Sequence, residues 1–265
     1  MAARGLIPGF AVLMYHGVAR DEYEPVPPGE RKYWVTAARL REHLVCIQDA
    51  HQRVARLFEL WGSPAKPGRQ PSVALSFDDG RTSDYEVAFP MLLEARATAD
   101  FFVNTANIGT PGFLDWGQIR EMQRAGMSFH SHGHEHVDLS RLTNDHLRSQ
   151  LRESKQRLED GLGTVVRFLA IPYGLFDQRV LDAAREQGFS AVCTSHAWPA
   201  HPGARVIGRA AIYRHTRPGE FRRIVTCHPA PYLVRAIRAG LIYVPKRVFL
   251  RLRPRQLGTR ILEQA

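Results

Sequence analysis

Short apolar runs that end in polar or glycine-rich punctuation alternate along the chain with longer segments whose apolar residues recur every three or four positions. The runs FAVLMYHG (10–17), SVALSFDDG (72–80), TADFFVNT (98–105), VVRFLAIPYG (165–174), FSAVCTS (189–195) and AAIYRH (210–215) predict strands, and MSFHSHGHEH (127–136) predicts a strand that runs into a loop. Helices are predicted over VTAARLREHLVCIQDA (35–50), DYEVAFPMLLEARA (84–97), DWGQIREMQRAG (115–126), NDHLRSQLRESKQRLEDGLG (144–163), DQRVLDAAREQG (177–188) and around GEFRRIV (219–225). Pro90 marks a break or kink, Gly126 a stop, Thr143 or Asn144 an N-cap and Asp177 another. Repeated strand–helix units of this kind imply a parallel sheet, open or closed into a barrel. Tyr15-His16, Asp78-Asp79, the histidines of 130–136, Pro172-Tyr173 and His215 all fall where predicted strands end. In a parallel barrel those ends converge on one face, where catalytic groups lie.

At 265 residues, 44% hydrophobic and 23% charged, the chain fits one large α/β domain or two small ones with an ordinary core. No run approaches the 18 or so consecutive apolar residues of a membrane span. The N-terminal stretch is interrupted by Pro8 and Gly9 and reads as the first strand rather than as a secretory signal. Cys46, Cys193 and Cys227 are widely spaced and form no CxxC pair, so a reducing, cytoplasmic setting is expected. The net charge of +10 is uneven: from His228 onward eight basic residues face one acidic residue, a net +7. The expected organisation is therefore a domain over 1–227 and a basic amphipathic appendage over 228–265. That appendage suits either a helix packed on the domain with a solvated basic face or peripheral attachment to an anionic membrane, at its inner face. No nucleic-acid recognition motif accompanies the charge.

Two chemical features stand out. LSFDDG (75–80) puts two carboxylates side by side where an apolar strand meets a turn; Asp-Gly is a common turn pair, but partial burial would sharpen the repulsion between the two. FHSHGHEH (129–136) holds four histidines in seven residues: His130, His132, His134 and His136. The pairs 130/134 and 132/136 both have the spacing that brings two imidazoles to one cation once the chain turns. Either pair with a carboxylate from another strand makes a three-ligand site with an open position, the pattern of catalytic zinc. One aspartate would then be neutralised by a divalent metal, and the other stay ionised as a general base.

SFDDG, followed by HGHEHVDL and IPYG, resembles the polysaccharide deacetylase family (NodB-homology, carbohydrate esterase family 4) from about VLMYHGV to about GEFRRIV. The resemblance implies a distorted (β/α) barrel of about seven parallel strands and metal-dependent hydrolysis of acetyl groups on a glycan, here in exopolysaccharide or cell-envelope synthesis. By motif it assigns Asp78 as base and Asp79 as metal ligand. Of the two histidine registers it favours His132 and His136, because Val137-Asp138-Leu139 follows as the motif requires. It implies Zn²⁺, with Co²⁺ or Mn²⁺ as alternatives, and an acetylated polysaccharide or lipid-linked sugar as substrate. Tyr173 would offer a backbone N–H to the oxyanion, and His215, in Ile212-Tyr213-Arg214-His215, would be the general acid. The arginine that precedes Pro-Tyr in the motif is missing; Arg167 is three residues early, and Arg209 is a candidate substitute. Trp198, Trp116 and Trp34 are candidates to line an acetyl pocket, and His16 to line the site. An amidohydrolase of small amides (allantoinase-like or imidase-like) and a non-catalytic sugar binder use the same scaffold.

Overall fold

The computed structural model describes residues 6–63 and 72–238. Its strands are β1 (Ala11–Tyr15), β2 (Val18–Ala19), β3 (Val35–Thr36), β4 (Arg53–Val54), β5 (Ser72–Asp79), β6 (Asp100–Val103), β7 (Ser128–Ser131), β8 (Phe168–Ala170), β9 (Ala191–Thr194), β10 (Val206–Gly208) and β11 (Ala210–Ala211). Its α-helices are α1 (Ala37–Asp49), α2 (Leu57–Trp61), α3 (Phe89–Glu94), α4 (Trp116–Arg124), α5 (Asn144–Leu162), α6 (Gln178–Glu186) and α7 (Pro218–Val225). None of the described helices is long and apolar enough to cross a membrane.

The main sheet is parallel and runs β10-β9-β8-β7-β6-β5-β1-β11, with β4 flanking β5. Its two end strands are separated in the chain by one residue, Arg209. Ile207 pairs with Cys193 of β9, whereas Ala210 pairs with Leu13 of β1. A single segment thus changes partner half-way, and the sheet becomes a nearly closed, distorted (β/α) barrel. This corrects the expectation of a last strand over 210–215: pairing starts at Val206 and the strand stops at Ala211. Pieces of three and two residues are too short to show alternation, and His215 lies in the turn beyond them.

Strand alternation sorts the core into two layers. Leu13, Leu75, Phe77, Phe101 and Phe129 face outward against helices, meeting Leu40, Ile47, Ile119, Leu151 and Phe221 among others. Tyr15, Phe77, Phe101 and Phe129 stack across four adjacent strands with centroids 5.1, 5.1 and 5.4 Å apart. Val12, Ala74, Phe102, Phe168, Cys193 and Ile207 fill the interior, and Leu57 and Leu60 of α2 pack with them. The Leu57 N–H donates to Asp100 Oδ2 at 2.7 Å, and Asp100 Oδ1 meets His130 Nε2 at 3.1 Å. That end of the barrel is closed by packing and buried hydrogen bonds.

The predicted helices form, with one change of register. Asp84–Ala88 is a π-helical turn that leads into α3, and Pro90 sits in the first turn of α3, where its missing N–H costs nothing. Residues 229–238 form a further helix against the barrel. Tyr232 is buried in it and donates its hydroxyl to Ile224 O, while Arg235 pairs with Glu220. The remainder of the basic appendage, 239–265, lies outside the described residues.

One titratable group ties α1 to the barrel. The His43 ring stacks on Phe221 of α7 at 4.0 Å, and its Nδ1 lies 3.2 Å from the Tyr15 hydroxyl. Burial, with help from Arg39, pushes its pKa down to about 4. Because the folded protein resists a proton that the unfolded chain accepts near pH 6.5, this contribution to stability is complete above pH 6.5 and is lost as pH falls toward 4. We expect denaturant titrations at stepped pH to show a loss of about 3 kcal/mol across that window from this group. His43→Gln, which cannot titrate, should flatten that part of the profile by about one proton.

Candidate active site

The site is built at the end of β5, where the chain reverses. A continuing strand would point Asp78 and Asp79 to opposite faces. Instead Asp79 takes φ 78° and Gly80 φ 69°, and both carboxylates line the same cavity. A Cβ at Gly80 would lie 2.7 Å from the Val103 side chain, so only glycine fits this reversal. The positive φ at Asp79 costs on the order of 1 kcal/mol or more, a strain of the kind that concentrates at functional sites.

Asp78 is 2% exposed and its partner Arg209 is 1% exposed. The guanidinium donates through Nη1 to Oδ1 at 2.6 Å and through Nη2 to Oδ2 at 2.7 Å. It is held in turn by Ser76 Oγ, the Thr194 carbonyl and the face of Phe102. Burial alone would raise the Asp78 pKa, but Arg209 outweighs it and the carboxyl sits at about 2. Arg209 thus occupies the place of the arginine missing before Pro172-Tyr173, whereas Arg167 lies over the Phe58 ring.

Asp79 Oδ1 stands 3.5 Å from His132 Nε2 and 3.4 Å from His136 Nε2. The His132 Nδ1 lies 2.9 Å from the Ala170 carbonyl, which can only accept, so Nδ1 carries a proton and Nε2 is the nitrogen turned toward Asp79. Burial, then His132, pushes the His136 pKa down to about 4, which keeps that ring neutral. Asp79 Oδ1 is buried and has no hydrogen-bond partner. A carboxylate oxygen and two imidazole nitrogens, all within 4.8 Å of one another, make the three-donor set that a divalent cation takes. The donor set therefore fits a divalent metal. The turn that brings the histidines together passes through Gly133, at φ 84°.

His130 and His134 are elsewhere. His130 pairs with Asp100 at the closed end of the barrel, and His134 lies against Thr105 and Glu153. His16 and His215 line the cavity, the first half-buried and the second exposed. Tyr173, at φ 59°, donates its hydroxyl to His136 O at 3.3 Å and sets its ring edge-on to His136. None of Trp34, Trp116 and Trp198 is among the residues that line the cavity; its aromatic surface comes from Tyr33, Tyr173 and Tyr213. Arg81, which the sequence reading passed over, bridges Glu30 at 3.0 Å and Asp79 at 3.7 Å. Tyr33 carries no motif, and Tyr213 stands in the Ile212–His215 stretch only as an unassigned position, so neither could be picked out along the chain.

The cavity that joins these groups measures about 1030 Å³. Residues 65–192 match the family model of polysaccharide deacetylases. Over that stretch, just under half of its length, the chain is similar to polysaccharide deacetylases. It is 27% identical over 207 residues to the Bacillus subtilis protein YxkH, named as a polysaccharide deacetylase, across 77% of this chain and 69% of that one. It is also 27% identical over 139 residues to a poly-beta-1,6-N-acetyl-D-glucosamine N-deacetylase of Staphylococcus aureus, across 46% of this chain and 48% of that one. The fold is similar to that of the Streptococcus pyogenes deacetylase PplD (TM-score 0.74, 24% identity, 82% of this chain and 98% of that one). IcaB from Ammonifex degensii is similarly placed (TM-score 0.71, 25% identity, 83% and 97%).

The geometry makes two expectations measurable. Metal analysis of purified, metal-reconstituted variants should find the ion lost from Asp79→Ala, His132→Ala and His136→Ala but kept by His134→Ala. His130→Ala should keep it too, at a cost in stability, because Asp100 loses its buried partner. Separately, Arg209→Met should lower the unfolding free energy by roughly 3–5 kcal/mol, since it strands Asp78 as a buried, unpaired charge. Double replacement of Arg209 and Asp78 by apolar residues should recover much of that loss.

Proposed function

We propose that the protein removes an N-acetyl group from a sugar unit of a glycan or glycan precursor, with a divalent metal held by Asp79, His132 and His136. The observation that carries this reading is the facing set of Asp79 Oδ1, His132 Nε2 and His136 Nε2, one residue from an aspartate fixed by Arg209. Two imidazoles and one carboxylate suit zinc, and cobalt or manganese accept the same donors. When bound, such an ion polarises the acetyl carbonyl and lowers the pKa of water to about 7.

The chain's own groups supply the rest. Asp78, ionised across the working pH range, takes the proton of the attacking water. Both of its oxygens are engaged by Arg209, which fixes the carboxylate plane and leaves further lone pairs for that proton. The Tyr173 N–H donates to the carbonyl oxygen as negative charge collects there. His215, exposed on the cavity wall, hands a proton to the departing amine. A cavity of about 1030 Å³ is larger than a small cyclic amide needs, which favours a sugar over an allantoinase-like substrate.

The test is acetate release from N-acetylglucosamine oligomers by the metal-reconstituted protein, with small cyclic amides alongside. Turnover of the amides and not the sugars would overturn the reading. Asp78→Asn should be less stable, because it leaves the buried Arg209 without its counter-charge, yet the folded protein should keep its metal and lose roughly 10²- to 10⁴-fold in kcat for want of the proton acceptor.

A further inference from the structure

The charged groups around the cavity are unequally committed. Each carboxylate on its wall is already engaged. Asp78 is held by Arg209, Asp79 and Glu30 meet Arg81, and Glu220 meets Arg235. Three cations on the same wall are not. Among the described residues, Lys32, Arg223 and Arg238 have no carboxylate within ion-pair distance, and Lys32 rests only on the Tyr33 ring at 4.7 Å. They come from three separate elements: the 3₁₀ turn Arg31–Tyr33, α7, and the helix that begins at 229. Convergence from three elements on one cavity is not what a solvated face of a single helix would give.

We propose that these three side chains bind the phosphate or diphosphate of an acetylated amino sugar, so that the substrate is a phosphorylated sugar rather than a neutral polymer. The inference rests on the deacetylase reading for its reaction, and on the uncommitted cations for its substrate. Arginine side chains match phosphate geometry with paired donors, and lysine adds a point charge. The product argues the same way. Each deacetylation leaves a protonated amine, so repeated reaction along a neutral N-acetylated polymer would build up a polycation against a cationic wall. One deacetylation of a sugar that carries a phosphate leaves a product with both signs of charge, which that wall tolerates.

The probes are N-acetylglucosamine 1-phosphate, UDP-N-acetylglucosamine, a short-chain polyprenyl diphosphate N-acetylglucosamine, and the neutral methyl N-acetylglucosaminide and chitotetraose. Two readouts are taken on the full chain: acetate release by metal-reconstituted protein, and calorimetric binding to Asp78→Asn. The phosphorylated sugars should bind at least about tenfold more tightly than the neutral ones at low salt. That preference should shrink at high salt and collapse in the Lys32→Gln/Arg223→Gln/Arg238→Gln protein. Whether the lipid or the nucleotide compound is favoured identifies the source of the phosphate. Equal binding and turnover of neutral and phosphorylated sugars would overturn the inference and leave the deacetylase reading standing. A preference that survives the triple substitution would also overturn it. Binding of phosphorylated sugars that depends on the three cations, with no acetate released from any sugar, would keep the anion site and remove the deacetylase reading.

Discussion

Two opposite charges with almost no access to water meet where the barrel closes. Arg209 is the single residue between β10 and β11, and its guanidinium grips Asp78 at the end of β5, across the barrel interior. Neither charge would be tolerated there alone, because an unpaired buried ion costs several kcal/mol. The pair therefore couples two things that might have been independent, the closure of the sheet and the orientation of the carboxylate proposed as base. Moving either strand edge would part this buried bidentate contact. It also fixes the charge state, since a carboxyl at about 2 is an anion at any ordinary pH.

The two ends of the barrel use the same residue types for different ends. His130 lies in β7 and His132 one residue past its end. His130 meets Asp100, whose second oxygen is already satisfied by the Leu57 N–H, and the result is a closed, paired core. His132 directs its Nδ1 proton to a backbone carbonyl, so Nε2 is the nitrogen that faces Asp79. What separates a core histidine from a candidate ligand is the partner of its far nitrogen, not its place in the motif.

The helix over 229–238 belongs to the cavity as well as to the core. Tyr232 anchors it beneath, Arg235 ties it to Glu220, and Arg238, which pairs with no carboxylate among the described residues, lies on the wall. Among the described residues, the basic side chains of this segment thus divide into Arg235, paired with Glu220, and Arg238, on the cavity wall. Pairing with acidic neighbours, visible only in three dimensions, makes the division.

Periodicity in the sequence determined the alternation of strands and helices, the parallel sheet and the strand-end positions of Asp78, Asp79 and the histidines. These follow from local rules: apolar spacing, caps such as Asp177, and glycine at a reversal. The broken strand over 206–211 was not legible, because its two short pieces owe their pairing to different neighbours far along the chain. The choice between the 130/134 and 132/136 registers was open to spacing alone, since both pairs have the same separation, and the family motif only favoured one. The turn at Gly133 and the pairing of His130 with Asp100 bring 132 and 136, rather than 130 and 134, to Asp79. Likewise Arg209 lies 131 residues from Asp78 and became its partner only through barrel closure. Local pattern states which residues can form a strand, a turn or a ligand; only the closed barrel decides which of them meet, because that depends on contacts between segments that share no sequence neighbourhood.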